Sequence, residues 1–266
     1  MALEFPHIDP IAFEIGPIVI RWYALAYIAG FIGGLYTIKY FLKKYPSDYI
    51  TRDHIDDLLT WVVIGVILGG RLGYVLFYNF DYYSTNPLEA FKIWQGGMAF
   101  HGGLIGVITA MILFAWKNKI PFFALSDRVA VATPIGLFFG RLANFINGEL
   151  VGRPTDMPWG MVFNERDVTR HPSQLYQAAT EGLILFCFLL LLQRSKYARN
   201  HFGILSGAFL SLYAFMRFFV EYTRQPDSHI GFITFNLSMG QVLCIPMFIV
   251  GVGIMNYGRK YGTKAG

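Results

Sequence analysis

The chain has 266 residues, 55% of them hydrophobic and 17% aromatic, and only 15% carry charge, well short of the roughly 25% of a soluble domain. With a mean hydropathy of +0.44, this composition excludes an ordinary soluble globular protein and predicts an all-α integral membrane protein. The net charge of +5 is not gathered into a polar domain with basic patches and aromatic platforms, so nucleic acid is excluded as a partner and the charge is read as a marker of membrane orientation.

A spanning helix needs about 20 predominantly apolar residues. Seven segments meet that need, at 18–40, 57–77, 98–116, 126–147, 174–193, 203–222 and 237–256. The stretch before the first, MALEFPHIDPIAFEIGP, has neither a basic n-region nor a small-residue cleavage site, so the first helix is read as retained rather than as a secretory signal. Lys39, Lys43, Lys44 and Arg52 fall between the first two segments, Lys117 and Lys119 between the third and fourth, and Arg194, Lys196 and Arg199 between the fifth and sixth. Arg259, Lys260 and Lys264 follow the seventh.

The alternate connections are poorer in basic residues or balanced by acids. Residues 78–97 hold Lys92 alone, while 148–173 mix Arg153, Arg166 and Arg170 with Glu149, Asp156, Glu165 and Asp167. The positive-inside rule then places the amino terminus outside and the carboxyl terminus in the cytoplasm. Residues 1–266 are read as a single polytopic membrane domain. Segment 80–97 lies along the interface, and residues 148–173, with Trp159, Met161 and Phe163, form a small exoplasmic cap.

Gly65, Gly69 and Gly73, and then Gly102 and Gly106, recur at four-residue spacing, which lets helix backbones approach closely. Cys187 and Cys244 lie inside apolar segments and read as small core side chains rather than a disulfide or a nucleophile. No metal-ligand spacing and no phosphate-binding glycine loop is apparent, so neither a metal nor another cofactor is expected.

If odd-numbered helices run inward, each polar residue's place along its helix gives its depth. Tyr23 comes early in the first, Arg71 late in the second, His101 early in the third, Arg141 and Asn144 late in the fourth, and Arg217 and Glu221 late in the sixth. All then fall in the outer third of the bilayer. Ionisable groups at that depth are costly and usually paired and functional. Tyr213, Arg217, Glu221 and Arg224 share one face of the sixth helix, as Arg141 and Asn144 share one of the fourth. The plainer alternative for one such pair is a register-fixing ion pair such as Arg217 with Glu221. His101 carries an imidazole, the side chain best suited to moving a proton.

Five separated motifs, GRLANFINGELVG at 140–152, HGGLIG at 101–106, HPSQLY at 171–176, RWYALAY at 21–27 and YAFMRFFVEYTR at 213–224, are similar to those of the prolipoprotein diacylglyceryl transferase family. The resemblance covers most of the chain. It implies a seven-helix bacterial inner-membrane enzyme that moves the diacylglyceryl group of phosphatidylglycerol to the lipobox cysteine of a preprolipoprotein signal peptide. It also carries functional positions onto Tyr23, His101, Arg141, Asn144, Glu149, Gly152, Tyr213, Arg217 and Glu221, with Arg224 and His171 matching as well. Arg21 departs from the family pattern, in which histidine precedes the Trp-Tyr pair.

On that reading Arg141 and Arg217 stabilise the charge growing on departing glycerol phosphate. His101 takes the thiol proton, and Tyr23 and Asn144 position substrate hydroxyls. Glu149 and Glu221 orient the arginines, while membrane lipids surround a monomer. The competing classes are a transporter or lipid scramblase, whose paired interrupted helices and midplane site are not evident, and a scaffold subunit, which would leave the arginines without an anion.

Overall fold

The computed structural model describes residues 3–164, 168–226, 231–233 and 236–262. Glu165, Arg166, Asp167 and Lys264, counted above among the loop and tail charges, lie outside the described residues. In chain order the helices are α1 (Trp22–Lys44), α2 (Arg52–Phe77), α3 (Phe80–Thr85), α4 (Phe100–Lys117), α5 (Phe122–Ile146), α6 (Ser173–Arg194), α7 (Lys196–Asn200), α8 (Ile204–Val220) and α9 (Met239–Tyr261). Short 3₁₀ turns cover Pro87–Phe91 and Ile93–Gln95. The chain divides into two compact units, Met1–Ile38 with Asp127–Gly266, and Lys39–Ser126.

Six helices among the described residues, α1, α2, α4, α5, α6 and α9, are long and apolar enough to cross a membrane, and α8 is a shorter apolar helix of 17 residues. At most 33% of the most apolar stretch of any of the six is buried within the chain. A multi-pass membrane protein is the consistent reading, with lipid covering the faces left bare.

The all-α expectation needs a correction at the amino terminus. Residues 18–21, assigned to the first span, form strand β3 (Ile18–Arg21), antiparallel to β2 (Ile11–Ile15). Gly16 turns between them at φ +59°, a conformation that costs glycine little. The helix starts only at Trp22. A second small sheet pairs β1 (Leu3–Glu4) in parallel with β4 (Met161–Val162), which ties the start of the chain to the loop before α6.

In the larger unit, Val131, Leu185, Leu189, Ala198, Leu205 and Ala208 form a buried apolar cluster. Beside it Asp127, 3% exposed, accepts the backbone N–H groups of Gly203 at 2.9 Å and Ser206 at 2.8 Å and the Ser206 hydroxyl at 2.5 Å. The first amides of a helix lack intrahelical acceptors; here a carboxylate from α5 caps α8. Cys244 is buried as expected. Cys187 is exposed instead, on the outward face of α6.

The α6 helix widens into π-helical turns over Ala178–Ile184. At its centre Gly182 meets Phe138 of α5, where an added Cβ would stand 2.7 Å from the Phe138 Cβ. Each extra residue in a π turn rotates the remainder of the helix about its axis. The close approach and the rotation together bring Glu181, which precedes this glycine, to face α5 and α8.

In the smaller unit α2 and α4 pack through the glycines read from the sequence. A Cβ on Gly69 would fall 2.4 Å from the Gly102 carbonyl oxygen, whereas one on Gly103 finds its nearest neighbour at 3.7 Å. Gly69→Ala is expected to destabilise the protein by about 1–3 kcal/mol through overpacking, while Gly103→Ala changes stability by under about 0.5 kcal/mol. Thermal unfolding of the two purified variants in the same detergent checks the contrast.

Candidate active site

Arg141 near the end of α5 and Arg217 near the end of α8 are joined by a carboxylate that the sequence reading did not single out. Glu181 is fully buried, at 0% exposure. Its Oε1 lies 3.4 Å from Arg217 Nη1 and its Oε2 3.6 Å from Arg141 Nη2. Burying a carboxylate without a counter-charge would be prohibitive, and two guanidinium groups share the task. Both contacts are long for charge-assisted hydrogen bonds, which run at about 2.7–2.9 Å.

Arg217 has a second and closer partner, the Oε2 of Glu221 at 2.8 Å, one helical turn on. The Arg217–Glu221 ion pair, given above as the plainer alternative for these residues, therefore forms. Glu221 is also held from the start of α9, where Ser238, the N-cap, donates its hydroxyl to Glu221 Oε1 at 3.1 Å. A Cβ on Gly240 would come within 2.8 Å of the same oxygen. A carboxylate at a helix amino terminus is favoured by the macrodipole. Tyr213, one turn before Arg217, lies within electrostatic reach of Glu181, Arg217 and Arg141.

Arg141 is the less engaged cation. Among the described residues, apart from Glu181, its contact is to Asn144 Oδ1 at 3.5 Å. Asn144 in turn donates to Glu149 Oε1 at 2.8 Å, which also accepts from Asn147 Nδ2 at 3.2 Å. Glu149 therefore orients Asn144 rather than gripping an arginine directly, a change from the role expected of it. Gln174 of α6 donates to the Glu149 carbonyl at 2.6 Å, anchoring the turn that carries it.

The loop after α5 is strapped to the end of α8. Gly152 donates its N–H to the His171 carbonyl at 3.0 Å and bridges to Arg224. Any Cβ on it would meet the His171 and Thr223 carbonyl oxygens at 2.4 and 2.6 Å. Arg153 reaches across to the carbonyls of Arg224 at 2.8 Å and Glu221 at 3.3 Å. Gly152 and Arg224 thus enter through their backbones. His171 faces Tyr176, whose hydroxyl lies 3.2 Å from its Nδ1 and accepts the Trp159 indole N–H at 2.7 Å. Tyr23, at the start of α1, packs its ring against Tyr27, with centroids 5.2 Å apart.

His101 belongs to the smaller unit. It stands exposed in the first turn of α4, edge-on to Phe100. Arg71, grouped above with the functional arginines, has a different occupation there. Its guanidinium donates to the carbonyls of Ala90 at 2.7 Å, Glu89 at 2.8 Å, Gly96 at 2.5 Å, and Lys92 and Gly97 at 3.3 Å, and sits over the Tyr83 ring. With its donors spent on the 89–97 loop, Arg71 folds that connection and has none to offer an anion.

Sequence reasoning missed Glu181, Ser238 and Asp127. Glu181 carried a signal, as an acid inside the apolar run from 174 to 193, but its partners come from helices distant in sequence. Among the described residues no group of three or more His, Cys, Asp or Glu side chains is placed to hold a metal ion.

Comparison with known proteins adds to this geometry. A family model described as prolipoprotein diacylglyceryl transferase matches residues 10–257. The chain is 51% identical over 257 residues to the phosphatidylglycerol–prolipoprotein diacylglyceryl transferase of Rhodospirillum centenum, covering 95% of this chain and 92% of that protein. It is 50% identical over 263 residues to the protein of that name from Azospirillum brasilense, covering 98% of both. For the one from Nitratidesulfovibrio vulgaris the figures are 48% over 265 residues and 99% of both.

Burial holds the His171 imidazole below its ordinary pKa of 6.5, so the folded state favours the neutral ring that faces the Tyr176 hydroxyl. Below about pH 6.5 the unfolded chain takes up the proton first. The stabilisation is complete above that pH and is lost as pH falls through the lower, folded-state value. Trp159, two hydrogen bonds away, reports this. Its emission is expected to change, and the melting temperature to drop, on acidification below about pH 6.5, and His171→Phe removes the His-dependent part of both.

Proposed function

Since the chain belongs to the prolipoprotein diacylglyceryl transferase family, we propose that it transfers the diacylglyceryl group of phosphatidylglycerol to the thiol of a lipobox cysteine, with the Arg141–Glu181–Arg217–Glu221 array receiving the phosphate. The observation that carries this reading is the array itself. Two guanidinium groups are held at the ends of α5 and α8 by carboxylates, and among the described residues one of them, Arg141, keeps only contacts of 3.5 Å or more. Such a group has donors to give to an anion.

The chemistry needs those donors. The thiol loses its proton, its sulfur attacks the glyceryl carbon bonded to the phosphate oxygen, and a carbon–sulfur bond forms as that carbon–oxygen bond breaks. The electron pair leaves with glycerol phosphate, whose charge rises from one towards two as the bond breaks. Interactions that strengthen with this charge lower the barrier. Arginine remains protonated and matches phosphate oxygens with paired N–H groups. Asn144, fixed by Glu149, offers its amide to the headgroup or glyceryl oxygens. Tyr213 lines the same array, and Tyr23 positions a substrate hydroxyl. Gly152, His171 and Arg224 shape the loop beside it. His101 is assigned the proton on the family resemblance, supported by the exposure of its imidazole in the first turn of α4.

We read residues 1–266 as one polytopic domain in the bacterial inner membrane, working as a monomer, with seven spans and the amino terminus outside. Supporting this, the last turns of α1, α4, α6 and α9 end in Lys43 and Lys44, Lys117, Arg194, and Arg259 and Lys260, as inward-running helices should. The α8 helix, at 17 residues, is at the lower end of the roughly 17–25 that cross a bilayer and supplies the seventh span. Residues 80–97 then lie along the outer interface and 148–173 form the exoplasmic cap.

Mass spectrometry of a lipobox peptide incubated with purified protein and phosphatidylglycerol tests the reading. A thioether adduct is expected. Arg141→Ala and Arg217→Ala are each expected to lower its rate by about 10²–10³-fold or more, and His101→Gln to abolish it, in proteins that remain folded. Headgroup translocation between leaflets without adduct would select the carrier instead, and normal turnover by folded His101→Gln would remove that residue as the base.

A further inference from the structure

Glu181 has no substrate atom to touch in this reaction scheme, yet it is the most completely buried charge in the array. Its two oxygens are divided between two arginines on two helices at distances too long for tight pairing, 3.4 Å and 3.6 Å, and among the described residues Oε2 has no hydrogen-bond partner. Had Glu181 served only to lock α5, α6 and α8 together, close contacts like the 2.8 Å pair between Arg217 and Glu221 would serve better. The fold goes to some length to place it there. The π-helical turns of Ala178–Ile184 and the approach of Gly182 to Phe138 turn its side chain towards both guanidinium groups.

We infer that Glu181 is a positioning residue that acts as a shared, deliberately loose counter-ion, setting how strongly Arg141 and Arg217 hold an anionic phosphate and letting the more highly charged product go. With Glu181 and Glu221 present, the two arginines are electrically balanced before any ligand arrives. The site attracts a phosphate through oriented N–H groups rather than through surplus charge. The distinction matters because the reaction makes a dianion from a monoanion. An uncompensated arginine pair in a low-dielectric pocket would hold the product more strongly than the substrate. Glu181 repels both, and the repulsion grows in proportion to ligand charge.

That proportionality supplies the test, which rests on the reading of Arg141 and Arg217 as the phosphate grip. Removing one fixed negative charge shifts the binding free energy of a dianion by about twice that of a monoanion, so the two fold-changes are related as a square. In Glu181→Gln the KM for phosphatidylglycerol is expected to fall roughly threefold and the inhibition constant of glycerol phosphate roughly tenfold, both measured at saturating lipobox peptide. Glu181→Asp keeps the charge but draws it back from both arginines. It moves both constants in the same direction by less, and so decides the matter should Glu181→Gln not fold.

A purely structural Glu181 would lower the melting temperature and leave both constants where they were. That result, a weaker grip on glycerol phosphate, or equal fold-changes for the two ligands, would overturn the inference while leaving the phosphate reading intact. If instead glycerol phosphate fails to inhibit even the unmodified protein, the phosphate reading falls and takes the inference with it.

Discussion

A guanidinium set among apolar helices must find acceptors, because the alternative is a charge stripped of water with nothing in exchange. This chain meets the demand in two opposite ways. Arg71 saturates its donors on backbone carbonyls of a single loop, and the loop takes its shape from the cation. Arg141 and Arg217 are given carboxylates instead, and for Arg141 these are kept at arm's length. The first solution ends in structure. The second leaves Arg141 with contacts of 3.5 and 3.6 Å among the described residues, and the local architecture of α5, α6 and α8 holds it there.

Keeping it so takes support from outside the array. Glu221 would be free to swing towards either arginine were it not pinned by the Ser238 hydroxyl and the first turn of α9. Asn144 would rotate were its amide not held by Glu149, and Glu149 sits on a turn whose carbonyl Gln174 secures. Gly152 lets two other backbone segments approach within what would be contact distance of a Cβ, so the loop after α5 is strapped against the end of α8. Fixing groups before the reaction is how a site avoids spending reaction free energy on reorganisation.

How much the sequence disclosed depends on which of these interactions are local. Hydropathy alone placed the long helices to within a few residues, since a run such as 237–256 announces itself wherever its partners lie. The glycine spacing in α2 and α4 announced a close approach for the same reason. The Arg217–Glu221 pair was visible because helical periodicity puts residues four apart on one face. Strand β3 was absorbed into the first span because Ile18–Ile20 is a continuous apolar run leading into the helix, and only the Gly16–Pro17 turn before it argues otherwise. Arg71 could not be told from Arg141 by depth, because what separates them is the course of the loop at 89–97. The rest of Glu181's role depends on a π-helical turn, which no periodicity of 3.6 foretells.

The π turn also explains why an acid can be tolerated in the middle of α6. In a regular helix a side chain at position 181 would be fixed in angle by its neighbours at 177 and 185, and Leu185 is committed to the apolar core with 0% exposure. A widened turn uncouples the two. The residues after it continue to pack as core, while Glu181 is rotated to face cations that two other helices supply. A helix required both to hold a core and to present one buried charge has few other ways to do it, and the cost of the irregular turn is met by what the charge then holds in place.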